Sequence, residues 1–275
     1  MNINVLEYIS EQLPKSEKMP VLFLGHGSPM NAIEENQFVR GFREISKKIP
    51  TPNAILCISA HWYTKGTYVT SGEMQKTIHD FYGFPQELFE VEYPAKGNPE
   101  LAKETAELLA PTSVIETDSW GLDHGAWSVI KHLYPSANIP VIQMSIDYTQ
   151  PAQYHFDLAK KLQKLREKGI LIIGSGNIVH NLRMIDWKNI NTVGAGWDWA
   201  IEARAKTNEW ILDGNFQNLI HFEKQGTALQ NAIPTPDHYL PLIYTIGLKE
   251  KSDNISLFND ELIGGSLSMT SVFVG

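Results

Sequence analysis

Five of the nine histidines in the chain stand where an apolar run gives way to a loop or a helix begins. His26 follows "PVLFL" in "VLFLGHGSPMNA", His61 follows "AILCIS" in "ISAHWY", and His180 follows "GILIIGS" in "GSGNIVHNL". His238 lies near a helix start in "PTPDHYLPL", with Asp237 beside it, and His124 lies just before a helical run in "WGLDHGAW". One such histidine alone reads as a packed or solvated residue. His26, His61, His180 and His238 together on one sheet edge need a reason to coexist, because protonated imidazoles repel. A divalent metal supplies that reason. Neutral imidazole is the commonest metal ligand, and several imidazoles suit zinc, iron, copper or nickel. The spacing matches no local motif such as HExxH, so the ligands must be gathered by the fold.

The elements that would gather them are legible. Strands are expected at 20–24, 54–59, 67–72, 112–117, 140–146 and 169–175, and helices at 36–48, 99–110, 125–133, 151–168, 198–212 and 236–246. "ISLFND" and "GSLSMTSVFVG" read as closing strands. Unbroken Val/Ile/Leu runs bounded by Gly or Pro suit strands covered on both faces. Their alternation with helices predicts a single α/β domain, with a mostly parallel central sheet flanked by helices on both faces. In such sheets, ligands bind outside the carboxyl ends of the strands, which is where the histidines fall.

Bulk properties narrow the function. A chain of 275 residues with net charge -8 has no basic block for phosphate contacts, so nucleic acid is excluded as a partner. The one cysteine, Cys57, permits no internal disulfide and reads as a buried thiol. The first residues carry no signal peptide, and no apolar run approaches the roughly 20 residues of a membrane span. A cytoplasmic protein is expected, with residues 1–18 as a helix-and-linker extension and 19–275 as the catalytic domain.

Other signals are weaker. "GSGNIV" lacks the third glycine of a dinucleotide fingerprint, so its glycines are read as allowing sharp bends and close approach. Ser28, Ser59 and Ser175 lie near site histidines but none sits in GxSxG. Asp123 and Asp147 could orient imidazoles or cap turns. His132, His155 and His221 read as packed or surface residues. His79, in "TIHDFYGFP", has aromatic and turn-rich neighbours that could wall a ring-binding pocket.

Seven blocks in order, "LFLGHGSPMNA", "SAHW", "TIHDFYGFP", "GLDHGAW", "GSGNIVHNL", "PTPDHYLPL" and "GSLSMTSV", resemble the DOPA 4,5-dioxygenase type of class III extradiol ring-cleavage dioxygenases. The resemblance runs from about Met19 to the C-terminus. It implies one divalent metal held by His26, His61 and His238, with His180 beside it as a further ligand or as the acid/base residue. It implies that His124 faces substrate and dioxygen, and that His79 belongs to the pocket. Trp62 and Tyr239 are further candidates to pack an aromatic ring. The wider class places two His and one Glu on iron, whereas here the third position is His238. Zinc would also fill such a site, but it has no redox role. Fe(II) is therefore expected for ring cleavage, with zinc occupying the site on isolation. The implied partners are a small aromatic diol and dioxygen. Two further readings are a zinc-dependent hydrolase and a non-catalytic module that binds its partner in the metal pocket.

Overall fold

The computed structural model describes residues 18–190 and 192–275. The expected extension, apart from Lys18, lies outside them. Strands β1 (Val21–Gly25), β2 (Ala54–Thr64), β3 (Thr67–Thr70), β4 (Val114–Thr117), β5 (Val141–Asp147), β6 (Ile170–Gly176), β7 (Ile255–Phe258) and β8 (Ser271–Val274) form one sheet in the order β4-β3-β5-β2-β6-β1-β8-β7. Its centre, β5-β2-β6-β1, is parallel throughout. The β3–β4 pair is also parallel but joins β5 antiparallel. The closing strands β8 and β7 add antiparallel on the other side.

Both faces of this centre are covered, which is why its strands read as apolar runs. On β1, Val21 and Phe23 point into one core while Leu22 and Leu24 point into another. Helices α1 (Gln37–Ser46) and α3 (His124–Leu133) cover the second face. Helices α2 (Pro99–Leu108), α4 (Ala152–Lys161), α5 (Asp198–Leu212) and α6 (Leu240–Gly247) cover the first. Among the described residues no helix is long and apolar enough to cross a membrane.

Three boundaries of the parallel centre and its helices differ from the sequence expectation by more than two residues or divide an element. β2 does not end at 59 but runs to Thr64, with a register shift against β5 between Ile58 and Tyr63. His61 therefore sits within the strand at an irregularity, a common device for re-aiming a side chain. The helix expected over 151–168 divides at Leu162. The helix expected from 236 starts at Leu240, because the chain before it is drawn onto the end of β6, where the Asn177 amide donates to the His238 carbonyl at 2.9 Å.

The glycines of "GSGNIV" serve that close approach. A Cβ on Gly176 would stand 2.1 Å from the His238 carbonyl oxygen, and one on Gly174 would stand 2.4 Å from that of Pro241. Backbone cannot yield as a flexible side chain does. Gly176→Ala is expected to destabilise the protein by about 1–3 kcal/mol, the usual range for overpacking. Thermal unfolding checks this, and a variant melting at the wild-type temperature would contradict the close contact.

Candidate metal centre

The five histidines from five separate segments converge at the carboxyl ends of the parallel strands. His26 immediately follows β1, and its amide donates to the Gly176 carbonyl at 3.1 Å. His124 is the first residue of α3 rather than a loop residue, and Asp123 caps that helix by accepting from the Ala126 amide. The His180 amide donates to the Ala232 carbonyl at 2.8 Å.

Nitrogens of His26, His61 and His124 lie within 4.8 Å of one another. The His61 ring centre is 3.9 Å from that of His124 and 4.9 Å from that of His238, and His26 is 5.3 Å from His238. His180 stacks flat on His238, 3.5 Å away and tilted by 6°.

Hydrogen bonds decide which nitrogens are free. Ser175 Oγ gives its single proton to the Gly125 carbonyl at 2.5 Å, so it must accept from His26 Nδ1 at 3.0 Å. Asp237 likewise accepts from His238 Nδ1. Each ring is left with a bare Nε2. The His61 Nδ1 faces Oδ2 of Asp80 at 3.3 Å. With that nitrogen carrying the proton, the Nε2 atoms of His26 and His61 confront each other as two lone pairs 3.4 Å apart. Two nitrogens sharing one tetrahedral ion at about 2.0–2.1 Å stand about 3.3 Å apart. The donor set therefore fits a single metal ion.

The electrostatics point the same way. Burial, and then repulsion from neighbouring imidazoles, holds His26 and His61 far below the ordinary imidazole range. Burial, then His238, takes His180 down to about 3. These rings are neutral at pH 7, the form that ligates metal or accepts a proton. Burial works to raise the Asp237 carboxyl, but the hydrogen bond from His238 outweighs it and leaves it below its usual range.

The remaining candidates take other places. His79 packs against Phe81, Phe89 and Trp127, and its Nε2 donates to the Val91 carbonyl at 2.9 Å. Trp62 stacks on Trp120. Tyr239 is buried against Phe222 and donates its hydroxyl proton to the Leu219 carbonyl. Asp123 accepts from Ser59 at 2.6 Å and from Gln143. Burial, then the nearby Asp80 charge, pushes its carboxyl up to about 6. Asp147 binds the Thr149 amide and hydroxyl. Both are capping groups. His132 and His155 are packed, bonded to the Asn31 carbonyl and the Tyr244 hydroxyl. Ser59 and Ser175 give their protons to Asp123 and Gly125, and Ser28 caps the turn Pro29–Ala32, so none is placed as a nucleophile.

Sequence reasoning passed over Asp80. Its Oδ2 lies 3.0 Å from His124 Nδ1 and 3.3 Å from His61 Nδ1. The available signal was its place in "TIHDFYGFP", a carboxylate inside a block already singled out for its histidine. Phe81, beside it, packs edge-on against His124 at 5.5 Å.

Comparison with known proteins agrees with this geometry. The family described as the catalytic LigB subunit of aromatic ring-opening dioxygenase matches residues 20–267. A 4,5-DOPA dioxygenase extradiol of Escherichia coli K12 is 43% identical over 270 residues, covering 97% of this chain and 98% of its own. One from Beta vulgaris is 34% identical, covering 90% and 94%. The crystal structure of an uncharacterized Escherichia coli K12 protein superposes with a TM-score of 0.81 at 38% identity, over 94% of this chain and all of the other.

Proposed function

Because the chain belongs to the LigB family of aromatic ring-opening dioxygenases, we propose that this extradiol enzyme opens a small catechol, 3,4-dihydroxyphenylalanine or a close analogue, at its 4,5 bond. The observation that carries the reading is the pair of bare Nε2 atoms facing each other at 3.4 Å, with further imidazoles around them. His26, His61 and His238 would hold the metal, His238 turning its free Nε2 inward with its ring centre 4.9 Å from that of His61, while His124, which the close nitrogen cluster contains in place of His238, is kept for the substrate side. Fe(II), when bound, supplies a redox-active template joining catechol and dioxygen.

The chain's own groups do the rest. Ser175 and Asp237 fix the rings of His26 and His238 with Nε2 inward. His180, neutral and face-on to His238, would accept the proton of a catechol hydroxyl and hold it for return to the opening substrate. His124 is the second proton carrier, with Phe81 packed against it. A cytoplasmic setting is part of this reading, since a chain with one cysteine, Cys57, forms no internal disulfide and fits a reducing compartment.

The test is dioxygen uptake by protein stripped of metal and reloaded anaerobically with Fe(II) or Zn(II), then given the catechol in air. Uptake with a coloured ring-opened product in the iron sample alone is the expected result. Turnover of an ester or amide without dioxygen would support the zinc hydrolase instead. Uptake with neither metal across several catechols would sink the ring-opening reading.

A further inference from the structure

Asp80 is unusual among the carboxylates around the basin. Asp237 is committed to His238, Asp147 to Thr149, and Asp123 to Ser59, Gln143 and the start of α3. Asp80 reaches two site rings at once. Its Oδ2 lies between His61 Nδ1 and His124 Nδ1, at 3.3 and 3.0 Å, close to both and aligned for a full hydrogen bond with neither. Its Oδ1 accepts from the His124 backbone amide at 2.8 Å, which fixes the plane of the carboxylate. The His124 Nδ1 is buried and forms no hydrogen bond, so this oxygen is the acceptor within its reach.

The segment bearing Asp80 is itself held. The Ile78 amide donates to the Leu122 carbonyl at 2.8 Å, the Trp127 indole donates to the Ile78 carbonyl at 2.9 Å, and the His79 ring is tied to Val91. The carboxylate is therefore delivered by a fixed loop.

We propose that Asp80 is a positioning residue that yokes His61, on the metal side, to His124, on the substrate side, and keeps both rings as Nδ1–H tautomers with Nε2 turned into the basin. This deepens the ring-opening reading and rests on it for the roles of the two histidines. A carboxylate that orients a ligating imidazole sets its tautomer and basicity. Here a single oxygen sets the tautomers of two rings with different tasks. Loss of Asp80 then disturbs the ligand and the proton carrier together.

The first test needs no turnover. In metal-free protein with nitrogen-15-labelled histidine, long-range proton–nitrogen spectra should show His61 and His124 as Nδ1–H tautomers. In Asp80→Asn, whose amide can turn a donor toward the two rings, the His124 signal should move to the Nε2–H form. Asp80→Ala, which offers neither acceptor nor donor, should give a mixture and serves if the first variant fails to fold. In the Fe(II)-loaded variant, kcat should fall about 10–100-fold, while KM for the catechol changes by less than about threefold. Unchanged tautomers in both variants would overturn the proposal, and so would a kcat within twofold of wild type. If the wild-type protein itself opens no catechol, the ring-opening reading fails and the spectra alone decide the role of Asp80.

Discussion

His61→Ala is expected to lose the metal and the ring-opening activity together. His61 meets three other rings of the basin and a carboxylate. Its Nε2 is 3.4 Å from that of His26, its ring centre is 3.9 Å from His124 and 4.9 Å from His238, and its Nδ1 faces Asp80. Alanine removes one of two confronting donors and opens space beside the other three rings. Affinity should fall by more than the roughly 10–100-fold that follows loss of an outer partner, because here a donor atom itself is lost. Metal content after anaerobic loading, measured beside dioxygen uptake, checks this. Stoichiometric metal with no uptake would move His61 out of the ligand set and into the chemistry.

The second expected result separates the two histidines that stack. His180→Gln should keep its metal and lose turnover by about 10²–10⁴-fold, the usual contribution of a positioned acid/base group. The reason is geometric. His180 lies face to face with His238 at 3.5 Å, and burial keeps its ring in the neutral form, with a nitrogen lone pair free. Gln fills much of the same space but cannot carry a proton at neutral pH. Metal content and kcat are read on the same sample. If both fall in proportion, His180 is a ligand, and His124 inherits the proton.

The frame of this site was legible because the parallel centre is buried on both faces. Burial forces apolar runs in β1, in the first half of β2 and in β6, with Gln143 and Ser145 the polar exceptions inside β5, and the carboxyl ends mark where chemistry collects. The far half of β2 was not legible. "HWYT" is mixed in polarity, and the register shift that carries it past Ile58 depends on β5, far along the chain. The division at Leu162 was hidden for a similar reason, since one apolar periodicity spans both helices. The five histidines could be picked from their places, but their partners could not. Asp80 meets His124 across 44 residues, and Ser175 meets His26 across 149. No local pattern encodes such pairings. Only the proximity of Asp237 to His238 was written in adjacent letters.

The confrontation of the His26 and His61 lone pairs has a thermodynamic side. The Nε2 atoms of His26 and His61 face the same 3.4 Å gap only because two distant segments are folded together, so the paired donors exist only in the folded chain. An ion held there, as the proposed ligand set has it, would add its binding free energy to the stability of the folded chain, because it has no preformed site in the unfolded one. The melting temperature is therefore tied to the supply of free metal. At a hundred times the dissociation constant the gain is about 2.7 kcal/mol, a large part of the margin that keeps an ordinary domain folded. A molecule starved of its ion is thus more than an idle catalyst. It unfolds more often, and proteases that sample open chains remove it first, so the population that persists is enriched in metal-loaded protein.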